Sequence, residues 1–251
     1  MRGRIILILF IFIKMVGCET VNQSSGKISV LVFTKTNDYY HESIPAAVEA
    51  VKNICKNNNW QFTHSEDSLY FTPDNLSRHQ VIVFLNTSGE VLGEEQQQAF
   101  ESYMDQGGNF VGIHGASATS YNWDWYINMI GTQFENHPHI QEAKLIVNNS
   151  HEHPAIKHLE KEWIWTDEWY NFDRPLPEDA VVLIEIDENS YEGGEMGENH
   201  PIAWYRELDN SRVFYTALGH AAEYFQDQKL LKHIEEGIRW AGSGQENLKN
   251  E

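Results

Sequence analysis

Three histidines of this chain fall where the sequence places chemistry, each just after an apolar run that reads as a buried strand. His41 follows the run 28–34 through Lys35, Thr36, Asn37, Asp38, Tyr39 and Tyr40; His114 ends Phe110-Val111-Gly112-Ile113; His220 comes two residues after Leu218. An imidazole titrates near neutrality and is also a common metal ligand. A backbone carbonyl at a loop base accounts for any one such ring, but three at one sheet edge make an acid–base or ligand arrangement. His114 is the most specific of them. Gly112 stands two residues before it and Gly115 and Ala116 directly after, the frame of a nucleophile elbow, in which small neighbours leave the central side chain exposed above a sheet. An imidazole there cannot act in acyl transfer as a thiolate or alkoxide does, so its roles are base, proton donor or metal ligand.

Two further segments carry donors. Phe134-Glu135-Asn136-His137-Pro138-His139 and Ser150-His151-Glu152-His153-Pro154 contain His-x-His pairs, but a proline inside or beside each pair points to loops. His151 reads as a solvated surface residue. His137 follows the elbow in sequence and would approach it; with His41, His114 and His220 it would form a nitrogen-rich site for a divalent metal such as zinc. A cleft of hydrogen-bonding imidazoles accounts for the same set equally well. Trp163-Ile164-Trp165-Thr166-Asp167-Glu168-Trp169-Tyr170 puts aromatic faces around two carboxylates, as a sugar site does. The same alternation describes a half-buried strand, in which Asp167 and Glu168 point to opposite faces unless the strand has ended. They are therefore not read as a glycosidase pair, although either one would serve as a general base.

The elements that must position these residues alternate along the chain. Strands are expected at 28–34, 61–65, 81–85 and 109–113, with helices opened by Ser43 and Pro45, capped by Thr72 before Pro73, and running from Gly93 to Gln106. Such alternation predicts an α/β fold with an open, mostly parallel sheet and flanking helices, whose ligands bind beyond the carboxyl ends of the strands. After about residue 140 strands crowd together, at 142–147, 163–168, 181–187, 202–206 and 212–217, before a helix from about Gln228 to Trp240. They would extend the sheet or form a side ribbon.

The whole chain has 251 residues, 41% hydrophobic, with 18 Lys+Arg against 37 Asp+Glu and a formal net charge of −19. One globular domain fits this composition, and like-charge repulsion excludes nucleic acid and anionic lipid as electrostatic partners. Arg2 and Arg4, an apolar run 5–13 and Met15-Val16-Gly17-Cys18 read as a lipoprotein-type signal over residues 1–17, with Cys18 the lipidated residue and 18–26 a tether. The run is too short for a membrane span, so the expected membrane contact is the lipid anchor alone, in a bacterial cell envelope. The domain itself is expected at 27–242 and a polar tail at 243–251. Cys55, the other cysteine, reads as a buried thiol on a helix face.

In order along the chain, Phe33-Thr34-Lys35-Thr36, Tyr40-His41-Glu42-Ser43, the elbow from Gly108 to Ala116, His153-Pro154, Thr166 to Tyr170, Gly197 to Tyr205 with His200 inside it, and Tyr215 to His220 resemble the ThuA-like, trehalose-utilisation family. The resemblance implies a fold similar to class I glutamine amidotransferases, without glutaminase activity, because His114 stands where those enzymes carry cysteine. It implies a carbohydrate substrate, a glycoside or keto-sugar derivative, and a sugar dehydrogenase in the same pathway. It implies His41, His114, His137, Asp167, Glu168, His200 and His220 as the positions matching the family's polar motifs; on this reading His41, His114, Asp167, Glu168 and His220 are expected to be catalytic, and Lys35, Tyr40, His137, Trp169, Tyr170 and His200 to bind substrate. The chain departs from the family pattern at Ala118, where an acidic residue is expected, and at Ala221. A non-catalytic sugar-binding lipoprotein or an accessory subunit is the alternative to an enzyme.

Overall fold

The computed structural model describes residues 27–243. The expected signal segment 1–17, Cys18 with the whole of the expected tether 18–26, and the tail from 244 onward lie outside the described residues. The chain runs β1 (Ser29–Phe33), α1 (Ile44–Asn57), β2 (Gln61–Ser65), α2 (Pro73–Leu76), β3 (Val81–Leu85), α3 (Glu94–Asp105), β4 (Asn109–Ile113), α4 (Asp124–Ile130), β5 (Phe134–Asn136), β6 (Gln141–Val147), β7 (Glu162–Asp167), β8 (Asn171–Phe172), β9 (Val181–Ile186), β10 (Pro201–Glu207), β11 (Arg212–Thr216) and α5 (Gln228–Gly242).

Nine strands form one sheet in the order β2-β1-β3-β4-β11-β10-β9-β6-β7. The first five are parallel, and each later neighbour pairs antiparallel. Every residue of β1, β3 and β4 is buried, as expected of parallel strands covered on both faces. Alternation along β11 sends Phe214 toward α5, where Gly237 lets the ring approach: a Cβ there would lie 2.4 Å from it. On the other side Phe84, Phe100, Phe110 and Tyr126 pack ring to ring beneath α3 and α4. The fold is thus the α/β sandwich expected from the sequence, and the crowded second half does both things foreseen for it. Four strands extend the sheet, while β5 and β8 make a separate two-stranded ribbon.

Local signals behave as physical chemistry requires, with one reassignment. Thr72 caps α2 through its hydroxyl, accepting from the Asn75 N–H at 3.3 Å. Ser43 precedes α1 but does not cap it; its hydroxyl turns to the loops after β3 and β11. Cys55 is buried on α1, and burial pushes its thiol up to about 12. Among the described residues no helix is long and apolar enough to cross a membrane.

Because β7 runs parallel in direction to β1, β4 and β11, counting back through the antiparallel pairs, the carboxyl ends of all four strands lie at one edge of the sheet. That edge carries His41, His114, Glu168 and His220.

Candidate functional site

The centre is built on strain at the elbow. His114 leaves β4 with φ of 46° and begins a short 3-10 turn, His114–Ala118. A non-glycine residue in the left-handed region costs about 1–2 kcal/mol, so the surroundings must impose it. They do so sterically: a Cβ at Gly112 would lie 2.8 Å from the Tyr215 ring, and one at Gly115 2.8 Å from the Thr87 carbonyl. They also do so by hydrogen bonds. Tyr215 donates its hydroxyl to the His114 carbonyl at 2.8 Å. Asn86, itself at φ 49°, donates to the Ser43 hydroxyl at 2.8 Å and the Gly219 carbonyl at 3.3 Å, and its side-chain oxygen accepts from the Gly115 N–H at 3.4 Å. One amide therefore ties the loops after β1, β4 and β11 together.

Four side chains converge above this turn. One ligand atom from each of His41, His114, Glu168 and His220 lies within 4.8 Å of the other three. Glu168 Oε2 is 3.4 Å from His114 Nε2 and 3.2 Å from His220 Nδ1, and Oε1 is 3.1 Å from His137 Nε2. His114 Nδ1 donates to the Ala217 carbonyl at 2.6 Å. In the neutral ring this fixes the tautomer and leaves Nε2 as an acceptor facing the cleft, where the Tyr170 hydroxyl meets it at 2.9 Å.

The charges are unevenly distributed. Burial alone would raise the Glu168 carboxyl, but His114 and His220 outweigh it and hold the group well below the usual carboxylate range. Its partner His220 is raised, chiefly by that carboxylate. His41 is pushed down to about 2, first by burial and then by the neighbouring imidazoles. At neutral pH the cleft thus contains an ionised carboxylate, an imidazole that favours its proton and one that refuses it. Among the described residues, buried His41 Nδ1 has no hydrogen-bond partner, nor has His220 Nδ1 despite its closeness to Glu168. Orphaned imidazole nitrogens beside a carboxylate are the donor set that a divalent metal takes, so these residues fit such an ion.

The geometry changes the expected metal set. Glu168 stands in it where His137 was expected, because His137 sits at the rim, its side chain 39% exposed, and donates Nδ1 to the Pro138 carbonyl at 2.8 Å. Asp167 is fully buried and is not one of the four converging side chains. Its carboxylate accepts from the backbone N–H groups of Gly219, His220 and Glu168 and from the Trp165 indole, so it positions the β11 loop instead of meeting a substrate. Burial pushes its carboxyl up against the pull of His114 and those N–H groups.

The other expected binding residues divide. Tyr170 is buried directly against His114, their ring centroids 4.4 Å apart. His200 lies behind it, fully buried between Glu188 Oε1 at 2.8 Å and the Tyr170 carbonyl at 2.8 Å, and so orients Tyr170 without reaching the cleft. Trp169 is also core, donating its indole N–H to the Gln141 carbonyl at 2.9 Å, and offers no free face for stacking. Lys35 donates to the Ser68 hydroxyl at 3.1 Å. Tyr40 is exposed. Sequence reasoning missed Asn86, Ser43 and Tyr215, which hold the elbow. The polar run Asn86-Thr87-Ser88-Gly89 directly after an all-apolar strand was the available signal for Asn86.

Comparison with known proteins agrees with this fold. A ThuA-like protein of Bacteroides uniformis is 25% identical, with a TM-score of 0.73 over 88% of this chain and 94% of that one. A second ThuA-like protein, from Parabacteroides merdae, is 21% identical, with a TM-score of 0.71 over 87% and 91%. A GMP synthase subunit from Thermoplasma acidophilum, 13% identical with a TM-score of 0.54 over 89% and 98%, shares the fold. Among curated proteins none matches. A family model described as trehalose utilisation, ThuA, matches residues 29–241, which is nearly all of the described chain, and the protein therefore belongs to the ThuA family.

Proposed function

We propose that this protein is an enzyme that abstracts a proton beside the carbonyl of a keto-sugar derivative, leading to isomerisation or to loss of a glycosidic substituent. One observation carries the reading. A single carboxylate, Glu168, faces the cleft among three imidazoles, while Asp167, the second carboxylate that a glycosidase would need, is consumed by four N–H donors.

His114 Nε2 takes the proton from the carbon next to the carbonyl, with its tautomer set by Ala217. The C–H electron pair moves into the carbonyl, and the enolate oxygen receives a hydrogen bond from His220, whose proton Glu168 stabilises. The pair then returns. For isomerisation, the hydroxyl on the deprotonated carbon passes its proton to the enolate oxygen, its electron pair forms the new carbonyl, and the C=C pair takes the proton from His114 at the former carbonyl carbon; for elimination, the enolate pair re-forms the carbonyl while the C=C pair expels a glycosidic oxygen from the next carbon, which leaves as an alcohol on taking that proton. Neutral His41 offers its N–H or its lone pair without competing charge.

His41, His114, Glu168 and His220 are also the residues that would hold a divalent metal such as zinc. An ion bound there would polarise a sugar carbonyl or hydroxyl as a Lewis acid.

A product screen with 3-keto-glycosides, run on full-length protein before and after chelation and paired with elemental analysis, tests the proposal. Turnover is expected. Dependence on metal would make His114 a ligand, independence would make it the base, and inert protein in both states would overturn the enzyme reading. We further propose export and lipid anchoring through Cys18, in the company of a sugar dehydrogenase that supplies the keto group. Cys18→Ser is expected to release the protein from the membrane fraction, and unchanged fractionation would contradict the anchor.

A further inference from the structure

His114 Nε2, the nitrogen that takes the substrate proton in the proposed reaction, already has a partner in the Tyr170 hydroxyl, 2.9 Å away. Nδ1 of the same ring donates to the Ala217 carbonyl, so in the neutral ring Nε2 is a lone pair and the phenol is the donor. Protonating Nε2 inverts this contact. The imidazolium N–H then donates, the phenolic oxygen accepts, and the phenol's own hydrogen is released toward another acceptor. A phenol in this position is a proton carrier in contact with the reacting nitrogen.

The ring itself has no room to swing. Tyr170 is buried, and its ring packs against those of His114 and Phe134, with centroids 4.4 Å away in each case. Its backbone is held as firmly. The Tyr170 carbonyl accepts from His200 Nε2 at 2.8 Å, and His200 Nδ1 lies 2.8 Å from Glu188 Oε1, which also accepts from the Met196 N–H at 2.8 Å. On either side, Trp169 is tied to the Gln141 carbonyl at 2.9 Å, and Asn171 donates its amide to Asn136 Oδ1 at 2.8 Å and to the Gly193 carbonyl at 3.0 Å. The motion left to a residue braced in this way is the turning of its O–H bond. That freedom meets a geometric need of elimination. The proton comes off one carbon and goes to the oxygen on the next, while the His114 ring is pinned at Nδ1 by Ala217.

From this arrangement we infer that Tyr170 is a catalytic residue, the donor that protonates the departing glycosidic oxygen. As the C–O bond breaks, the phenol O–H bond breaks and its proton joins the leaving oxygen to form the alcohol. The phenolic oxygen takes the proton that His114 Nε2 removed from the carbon, so both residues end as they began. His200 and Glu188 are positioning residues for it. The inference rests on the proposed keto-sugar reading and gives its elimination branch a proton donor distinct from the base.

Alcohol release from methyl and 4-nitrophenyl 3-keto-glucosides, together with NMR of deuterium exchange at the carbon beside the carbonyl, tests it in full-length protein. 4-Nitrophenolate departs without a proton, whereas methoxide needs one. Tyr170→Phe is expected to lower methanol release by about 10²-fold or more, while leaving nitrophenol release and deuterium exchange near wild type. His200→Asn, outside the cleft, should shift the two releases in the same direction by less. Equal loss on both glycosides, loss of exchange in a folded variant, or unchanged methanol release would overturn the role of Tyr170 and leave His114 as the sole proton carrier. A wild-type protein that neither exchanges the hydrogen nor releases either alcohol would remove the keto-sugar reading and this inference together.

Discussion

His114 combines two demands that rarely meet in one residue, a left-handed backbone and an imidazole whose tautomer is dictated by a carbonyl. Asn tolerates that backbone better than other side chains, so His114→Asn removes the reacting nitrogen while keeping the turn. The variant should unfold within about 1 kcal/mol of wild type, which thermal denaturation would check; a collapse in stability would show that the imidazole is structural. Asp167 makes the contrasting case. An amide at this position would turn an NH2 group toward N–H donors, so Asp167→Asn should destabilise the fold by about 2–3 kcal/mol, read as a lower midpoint in urea. A midpoint equal to wild type would mean that the Gly219 and His220 N–H groups find other partners.

At the scale of elements, the site exists because four strand ends share an edge and one loop, 86–90, braces the rest. Gly115 tests that packing. A methyl group added there meets backbone atoms of Asn86 and Thr87, which cannot rotate away. Gly115→Ala should therefore cost about 1–3 kcal/mol, measurable as a drop in thermal midpoint; an unchanged midpoint would show that the segment after β3 can move. The strands that carry His41, His114 and His220 were readable in the sequence because buried parallel strands are unbroken apolar runs. The segments β5, β8 and α4 were not, being two to seven residues long and defined by partners far away in the chain. Nor could spacing reveal that β7, at the far end of the sheet, delivers Glu168 to His114, or that Trp169 beside it is core. Those are products of sheet order and curl. The carboxylate beside the elbow is Glu168, which follows β7.

Across the whole molecule, histidines do two jobs. His153 stacks on Tyr205 and Phe214 under the sheet, and His233 donates to the Ala155 carbonyl from α5; burial pushes them down to about 3 and about 4. Together with His41 they are neutral when folded but take up protons when unfolded below about pH 6.5. Their contribution is complete above that value and is lost as pH falls toward the folded values, by about 1.4 kcal/mol per pH unit for each group. His220, raised by Glu168, works in the opposite sense, its contribution present below about pH 6.5 and lost as pH rises through its folded value. Urea unfolding should show stability falling by several kcal/mol from about pH 7 to about pH 5, less steeply in His233→Asn. A flat profile would contradict neutral burial. The formal charge of −19 acts at this scale too, repelling polyanions while exerting no such force on an uncharged ligand.

The central claim is that the His/Glu cluster at the sheet edge performs chemistry on a keto-sugar. Its most direct test is the single-turnover rate of His114→Asn against wild type on a 3-keto-glycoside, followed by product chromatography. Loss of a positioned acid–base group lowers such a rate by about 10²–10⁴, and a fall of that size in a folded variant is the predicted result. A variant that turns over its substrate as fast as wild type would contradict the account.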